Sequence, residues 1–505
     1  MALERAEYNS TFREAGDIDS GKIRRRRLIG ICVDVLGAHP LIILGKEQEW
    51  LFQVPDHLRM HVRQAAKRYH GFEIQPILME KLHVGDLMEG LELDDYPTTA
   101  PLLHTIRNQI EVERLRSISL ANNITIKDAT VALLLRGCVS LSHLNLRGCV
   151  NVKNGAFTEK VVQSLTELSY LNVSYTQVTG KALSMLYSNC PKLSTLKLAG
   201  CKITEGTNIQ QLFPHQSDVL TNLKIRHCAW TPAEMEYILK QFPNLQTLDC
   251  SSPTGANPLS FRPFINIDHP SQVRKFNFSN CPGLEYKPRE VRKFFELYTK
   301  LEHLYLTAAL LHEQTRFLQL LIPKPTLQQL KTAFLPGLRF AELHLSTFFD
   351  HATSLEHLDV SKTHTTFTTE ILSYMHEGEL CVSHLRILSL EDNPVSDESA
   401  SLICCFPTLR SLFLRGASIS RNGLRDIVYG CPWLEELDLA SCRGVDVRER
   451  RSLLRTLREE FREHLEEAHR AGKVLKPESQ KWYCIRTFTS DGEERDGLVL
   501  SLDRV

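Results

Sequence analysis

The chain is 505 residues long, 42% hydrophobic and 24% charged, an ordinary composition with ample apolar material for a folded core. Its 60 lysines and arginines cancel its 60 aspartates and glutamates, so no global field favours nucleic acid or an anionic membrane, and a nucleic-acid partner is unsupported. No apolar run approaches the ~18 residues of a membrane span, and the first residues alternate charged and small polar groups instead of building a leader; the expected setting is the cytoplasm, the nucleus or both.

Residues 1–19 read as a polar, disordered tail, and residues 20–111 as a helical N-terminal module. Ser20 can cap a helix that passes through Arg24 to Arg27 into Leu28, Cys32 and Leu36, whose four-residue spacing aligns them along one stripe. After the apolar linker Leu41 to Leu44, Pro55 can start a second helix carrying Leu58, Val62 and Ala66, with Val54 just before it. From Phe72 to Glu111 glycines and prolines interrupt the pattern, which reads as an irregular bridge. Within it, the stretch from Leu91 to Pro97 reads as acidic and exposed.

Residues 112–447 carry a repeat. Three stretches run Cys-x-x-Leu-x-x-Leu-x-Leu-x-x-Cys: Cys138 to Cys149, Cys190 to Cys201 and Cys431 to Cys442. The Leu-x-x-Leu-x-Leu core recurs from Leu115, Leu141, Leu168, Leu193, Leu220, Leu245, Val273, Leu301, Leu327, Leu355, Leu385, Leu409 and Leu434, at steps of about 24 to 30 residues. The last two leucines of each core lie on one face of an extended strand. Starting one repeat at Leu327 and not at Phe340 keeps the period, and makes 337–352 its helix. The segments Lys181–Cys190, Thr231–Lys240 and Arg421–Gly430 space their apolar residues as short amphipathic return helices. The expected fold is α/β: about thirteen strand-and-helix units stacked so that neighbours cover each other's apolar faces, with parallel strands on a concave face and helices on the convex one.

The residues between the leucines then point to the front. They supply the candidate partner-binding set: His143, Arg147, Tyr170, Lys197, Lys224, Arg226, Lys275, Tyr305, Phe413 and Arg415. The early members are largely basic and could engage one acidic peptide, whereas the later front residues, among them Asp359, Glu391, Glu436 and Asp438, are largely acidic. Residues 448–505 form the expected C-terminal cap: a charged helix from Arg448 to Ala471 with Leu453, Leu457 and Leu465 on one stripe, then a hairpin pairing Lys481–Phe488 with Leu498–Leu502.

The repeat with its closing cysteines resembles the cysteine-containing, ribonuclease-inhibitor-like leucine-rich repeats of ubiquitin-ligase substrate receptors, which implies a leucine-rich-repeat solenoid, or horseshoe, with a helical module at one end and a cap at the other. The N-terminal module resembles the box by which receptors of the von Hippel-Lindau, suppressor-of-cytokine-signalling and Zer/Zyg groups bind elongin C and a cullin. That resemblance implies that Leu28 and Cys32, with Leu36 beside them, anchor elongin C, and that Val54, Pro55 and Leu58 face the cullin. Arg27 stands where those families place a small residue or proline. Two other readings of the module stay open: a cap that hides Leu28 and Leu36 against the first repeat, or a degenerate F-box that binds a Skp-type adaptor.

No nucleophile elbow, phosphate-cradling glycine loop or His-Glu-x-x-His helix occurs, so no enzyme and no cofactor are expected. Eight of the fourteen cysteines sit at repeat positions where a small buried hydrophobe fits, and no Cys-x-x-Cys pair exists, which argues against zinc. The function implied is recognition of a protein substrate for a cullin-RING ubiquitin ligase, or, as the alternative, a scaffold whose N-terminal helices only cap the repeats.

Overall fold

The computed structural model describes residues 89–95, 100–205, 207–254, 261–267, 271–281, 288–306, 325–337, 348, 351–363, 369, 372–373, 384–431, 433–434, 436–442, 444–445 and 448–449, then 452, 455–456, 459, 470, 484–485 and 498–499. The expected adaptor residues Leu28, Cys32, Leu36, Val54, Pro55 and Leu58 lie outside them. Two compact units divide the chain: 1–170 with 189–191, and 171–188 with 192–505.

In the first unit, β1 (Gly90–Glu92), β2 (Ser117–Ser119) and β3 (His143–Asn145) pair in parallel in chain order. Their middle residues Leu91, Ile118 and Leu144 stand opposite one another and are buried. Between them run α1 (Ala100–Gln109) and α2 (Asp128–Leu135), and beyond β3 lies α3 (Glu159–Val162). The stretch expected to be an exposed acidic bridge is therefore a strand, since Leu91 and Leu93 are both buried. Its core reads Met88-x-x-Leu91-x-Leu93, with methionine in place of the leading leucine. Among the described residues pairing thus begins at Gly90, ahead of the expected start at 112, and β1 is the first of fourteen such short strands along the chain.

The next strand, β4 (Tyr170–Asn172), begins on the last residue of the first unit. In the second unit β5 (Thr195–Lys197), β6 (Asn222–Lys224), β7 (Thr247–Asp249), β8 (Lys275–Asn277), β9 (His303–Tyr305), β10 (Thr332–Phe334), β11 (His357–Asp359), β12 (Ile387–Ser389), β13 (Ser411–Phe413) and β14 (Glu436–Asp438) pair in parallel, each with the next. The return segments hold α4 (Gly180–Asn189), α5 (Ile209–Leu212), α6 (Pro232–Gln241), α7 (Arg262–Ile265), α8 (Pro288–Leu297), α9 (Pro325–Gln329), α10 (Asp397–Ile403) and α11 (Arg421–Gly430). Helix α6 shows why such a segment is a helix. Thr231 accepts from the Glu234 amide, Glu234 returns the bond to the Thr231 amide, and Pro232 takes the first position, where its missing N–H costs nothing.

One register differs from expectation. β10 sits three residues later than a core starting at Leu327 requires, so the repeat reads Leu330-x-x-Ala333-x-Leu335, with all three buried. Gly337 is accordingly not the start of a helix but a turn residue at φ 74°. Alanine in the leucine position is what hid this core.

Strands β1–β8 and β10–β14 each lead into a turn whose residue five positions past the strand start has positive φ: Asn122, Gly148, Tyr175, Gly200, His227, Asp392, Gly416 and Ser441, among others. In five of these turns the residue after it is buried and ties its turn to the preceding repeat. Cys149 donates its thiol to the Leu120 carbonyl at 3.0 Å, Cys201 to Val173 at 3.0 Å, Cys228 to Leu198 at 3.1 Å and Cys442 to Leu414 at 3.0 Å. Asn393 fills the same place and donates to the Val360 carbonyl at 2.9 Å. The repeat cysteines are buried as expected, but they also act as donors. In the repeat whose core reads Val273-x-x-Phe276-x-Phe278, rings replace leucines, and Phe261, Phe264, Phe294 and Tyr298 pack around them largely edge to face. Phe294, Phe295 and Phe348 are buried. At the C-terminus β15 (Cys484–Ile485) and β16 (Leu498–Val499) pair antiparallel, the arrangement expected of the hairpin.

Candidate interaction surface

Each strand from β5 to β14 buries its middle residue and turns the first and third to the other side, where the first on β10 and the third on β12, β13 and β14 are also covered. Because the strands are in register, those outward residues form two continuous rows. The row of first positions runs Thr195, Asn222, Thr247, Lys275, His303, Thr332, His357, Ile387, Ser411, Glu436. The row of third positions runs Lys197, Lys224, Asp249, Asn277, Tyr305, Phe334, Asp359, Ser389, Phe413, Asp438.

Of the expected cationic residues, Lys197, Lys224, Arg226 and Lys275 fall at one end of the second unit and Arg415 at the other. Lys197 and Lys224 are direct partners across β5 and β6, with Asp249 next in their row, while Lys275 lies in the parallel row beside Thr247 and His303. Arg226 is two residues past Lys224, just before the turn residue His227. In the middle, the Lys275 ammonium lies 5.1 Å over the Tyr305 ring, a cation–π contact. Tyr305 in turn lies 5.8 Å from Phe334, both half-buried. Thr332 bridges two imidazoles, its hydroxyl 2.9 Å from His303 Nδ1 and 3.5 Å from His357 Nδ1. Burial holds both histidines below the usual imidazole value, and Lys275 adds to the effect at each.

The far end is acidic. Asp359 accepts from the Ser361 amide at 2.9 Å and its hydroxyl at 2.6 Å, and Ser361 reaches Ser389 at 2.8 Å. Burial pushes the Asp359 carboxyl above its ordinary value, opposed by the Ser361 bonds. Glu391 is raised first by burial, then by Asp359 and Asp438, with Arg415 acting the other way. Phe413, expected as an exposed anchor, is only 8% exposed and offers the surface little. Along the strand-start edge, Glu302 pairs with Arg274 and with Lys331 at 2.9 Å, and Arg386 with Glu356 at 3.5 Å. In the first unit, the His143 ring stacks on Tyr170 at 5.7 Å, 21° from parallel, and Arg147 is exposed. Phe334 and Thr332 escaped the sequence reading because the register of their repeat was set three residues early.

The chain matches the family model described as At1g61320/AtMIF1, LRR domain, over residues 150–378, and the model described as Leucine Rich repeat over residues 383–404. The fold is that of leucine-rich repeats. Among solved structures it is similar to the crystal structure of the Rad7 and Elc1 complex in yeast, at 15% identity, covering 85% of this chain and 92% of that one with a TM-score of 0.48. It is similar also to the leucine-rich-repeat protein LIC12759 of Leptospira interrogans, at 16% identity, covering 74% and 89% with a TM-score of 0.41. No helix among the described residues is long and apolar enough to cross a membrane, and no group of His, Cys, Asp or Glu among them is arranged to hold a metal ion.

Proposed function

We propose that this protein recognises another protein on the front of its leucine-rich repeats and presents it to a cullin-RING ubiquitin ligase. The recognition half rests on one observation above others: the Lys275, Tyr305 and Phe334 cluster stands half-exposed at the centre of ten in-register strands. A clustered aromatic pair flanked by charge is the composition of an interface anchor. The recruiting half rests on the likeness of Leu28, Cys32 and Leu36, and of Val54, Pro55 and Leu58, to an elongin and cullin box. No residue of this chain performs the transfer in this reading. Holding a substrate lysine beside a charged conjugating enzyme raises its effective concentration and so the rate.

Co-purification of the full chain with elongin C tests it. Leu28→Ala with Cys32→Ala abolishes adaptor capture and leaves substrate binding intact, and Tyr305→Ala with Phe334→Ala does the reverse. Capture of a Skp-type adaptor in place of elongin C assigns the module to the F-box kind. Capture of neither, with Leu28→Ala changing only the melting temperature, overturns the ligase reading and leaves a scaffold with a capping module.

A further inference from the structure

The front of the second unit is polarised along its length, and the polarity specifies the ligand. On β5–β8 and the turns after them, Lys197, Lys224, Arg226 and Lys275 stand against the single carboxylate Asp249. Among the described residues of β11–β14 and the turns after them, Asp359, Glu391, Asp392, Glu436 and the largely buried Asp438 stand against two cations, Lys362 and Arg415. Between these ends lie Tyr305 and Phe334 on adjacent strands. At the acidic end Asp359 and Asp438 both press on Glu391, with Arg415 opposing them, and no group of His, Cys, Asp or Glu among the described residues is arranged to hold a metal ion.

We infer that the ligand is an extended protein segment of opposite polarity, acidic at one end, aromatic or aliphatic in the middle and basic at the other, laid across the strands from β5 to β14. This deepens the recognition half of the proposed function and rests on it. A uniformly acidic or uniformly basic segment gains at one end and is repelled at the other, so the arrangement selects order as well as composition. Strands spaced by about 4.8 Å put the ends about 43 Å apart, which an extended chain at about 3.3 Å per residue spans with about thirteen residues.

The test uses synthetic fluorescein-labelled peptides of about that length and the full chain, read by anisotropy at low salt. The probes are a bipolar peptide with glutamates, a central phenylalanine pair and lysines, the same peptide in reversed order, a uniformly acidic one and a uniformly basic one. One bipolar orientation is expected to bind at least about tenfold more tightly than either uniform peptide, with affinity falling as salt is added. Lys224→Glu with Lys275→Glu shifts preference to the basic peptide, Glu391→Lys shifts it to the acidic one, and the milder Glu391→Gln weakens the bipolar peptide with the melting temperature unchanged. Equal affinity for bipolar and uniformly acidic peptides, or no binding of any peptide, overturns the polarity. If Tyr305→Ala with Phe334→Ala still abolishes capture of a protein partner in that case, recognition on this face stands and only the polarity is lost.

Discussion

Asn393 offers the sharpest test of how the turns are held together. Its side chain is 2% exposed. It donates to the Val360 carbonyl at 2.9 Å and accepts from the Thr363 amide at 2.9 Å and from the Thr363 hydroxyl at 2.8 Å. Asn393→Ala removes all three bonds and leaves a buried amide, a buried hydroxyl and a carbonyl without them; at about 1 kcal/mol for a lost bond and about 1–3 kcal/mol for an orphaned buried group, relaxation included, the cost is about 3 kcal/mol. Cys228 holds the equivalent place with only a weak S–H donor, 3.1 Å from the Leu198 carbonyl and 3.7 Å from that of Arg226. Cys228→Ala therefore costs about 1–2 kcal/mol, mostly lost sulfur burial. Asn393→Cys keeps the bond to Val360, strands Thr363, and falls between the two. Urea unfolding followed by circular dichroism gives these differences as midpoint shifts at constant slope. If Asn393→Ala costs no more than Cys228→Ala, the hydrogen bonds contribute nothing beyond filling space and the reasoning is wrong.

Gly200 sits at φ 70°, and a Cβ there would lie 2.7 Å from the Tyr175 ring, so Gly200→Ala is expected to destabilise by about 1–3 kcal/mol. Gly90→Ala, whose Cβ meets nothing nearer than 3.9 Å, is the near-neutral control; equal effects in thermal melts would refute the turn argument. Burial raises the thiols of Cys138, Cys149 and Cys201 to about 11 and those of Cys190 and Cys228 to about 12. In the folded protein a maleimide should label the half-buried Cys404 and Cys405 and spare those five until urea is added, and mass spectrometry of the labelled peptides decides it. His303 and His357 titrate below the ordinary imidazole value in the fold. The unfolded chain thus binds more protons below about pH 6.5, and stability falls as pH drops through that range. Asp359 and Glu391, raised in the fold, act with the opposite sign but in the lower carboxylate range. Melting temperatures at about pH 7.5 and 5.5 should differ less for His303→Gln with His357→Gln than for the unaltered protein; an equal difference removes the histidines from the account.

The solenoid was legible because its signal is redundant. A leucine missing from one repeat is outvoted by the period of the others, and the helices at Thr231 and Arg421 announce themselves by their caps. The two failures of reading share one cause. β1 leads with Met88, and β10 carries Ala333 where others carry leucine, so a pattern defined by leucine passed over one strand and set the other three residues early. Ala333 is buried as the leucines of the neighbouring strands are, and only the paired backbone reveals its place.

That small slip had a large consequence for function. A strand shifted by three residues exchanges its inward and outward positions, because three is odd and the side chains alternate. Phe334, which completes the aromatic pair with Tyr305, was thereby hidden from a reading that correctly placed Lys197, Lys224 and Lys275 outward. Phe413 shows the converse limit: its position in the row is outward by alternation, yet it is 8% exposed. Pattern assigns the face, whereas exposure depends on what the neighbouring side chains cover. The residues that would make this surface selective are thus set by cross-strand adjacency, by Lys275 over Tyr305 and by Asp359 and Asp438 beside Glu391. These partners are separated by a whole repeat or more in sequence and meet only once the strands have paired.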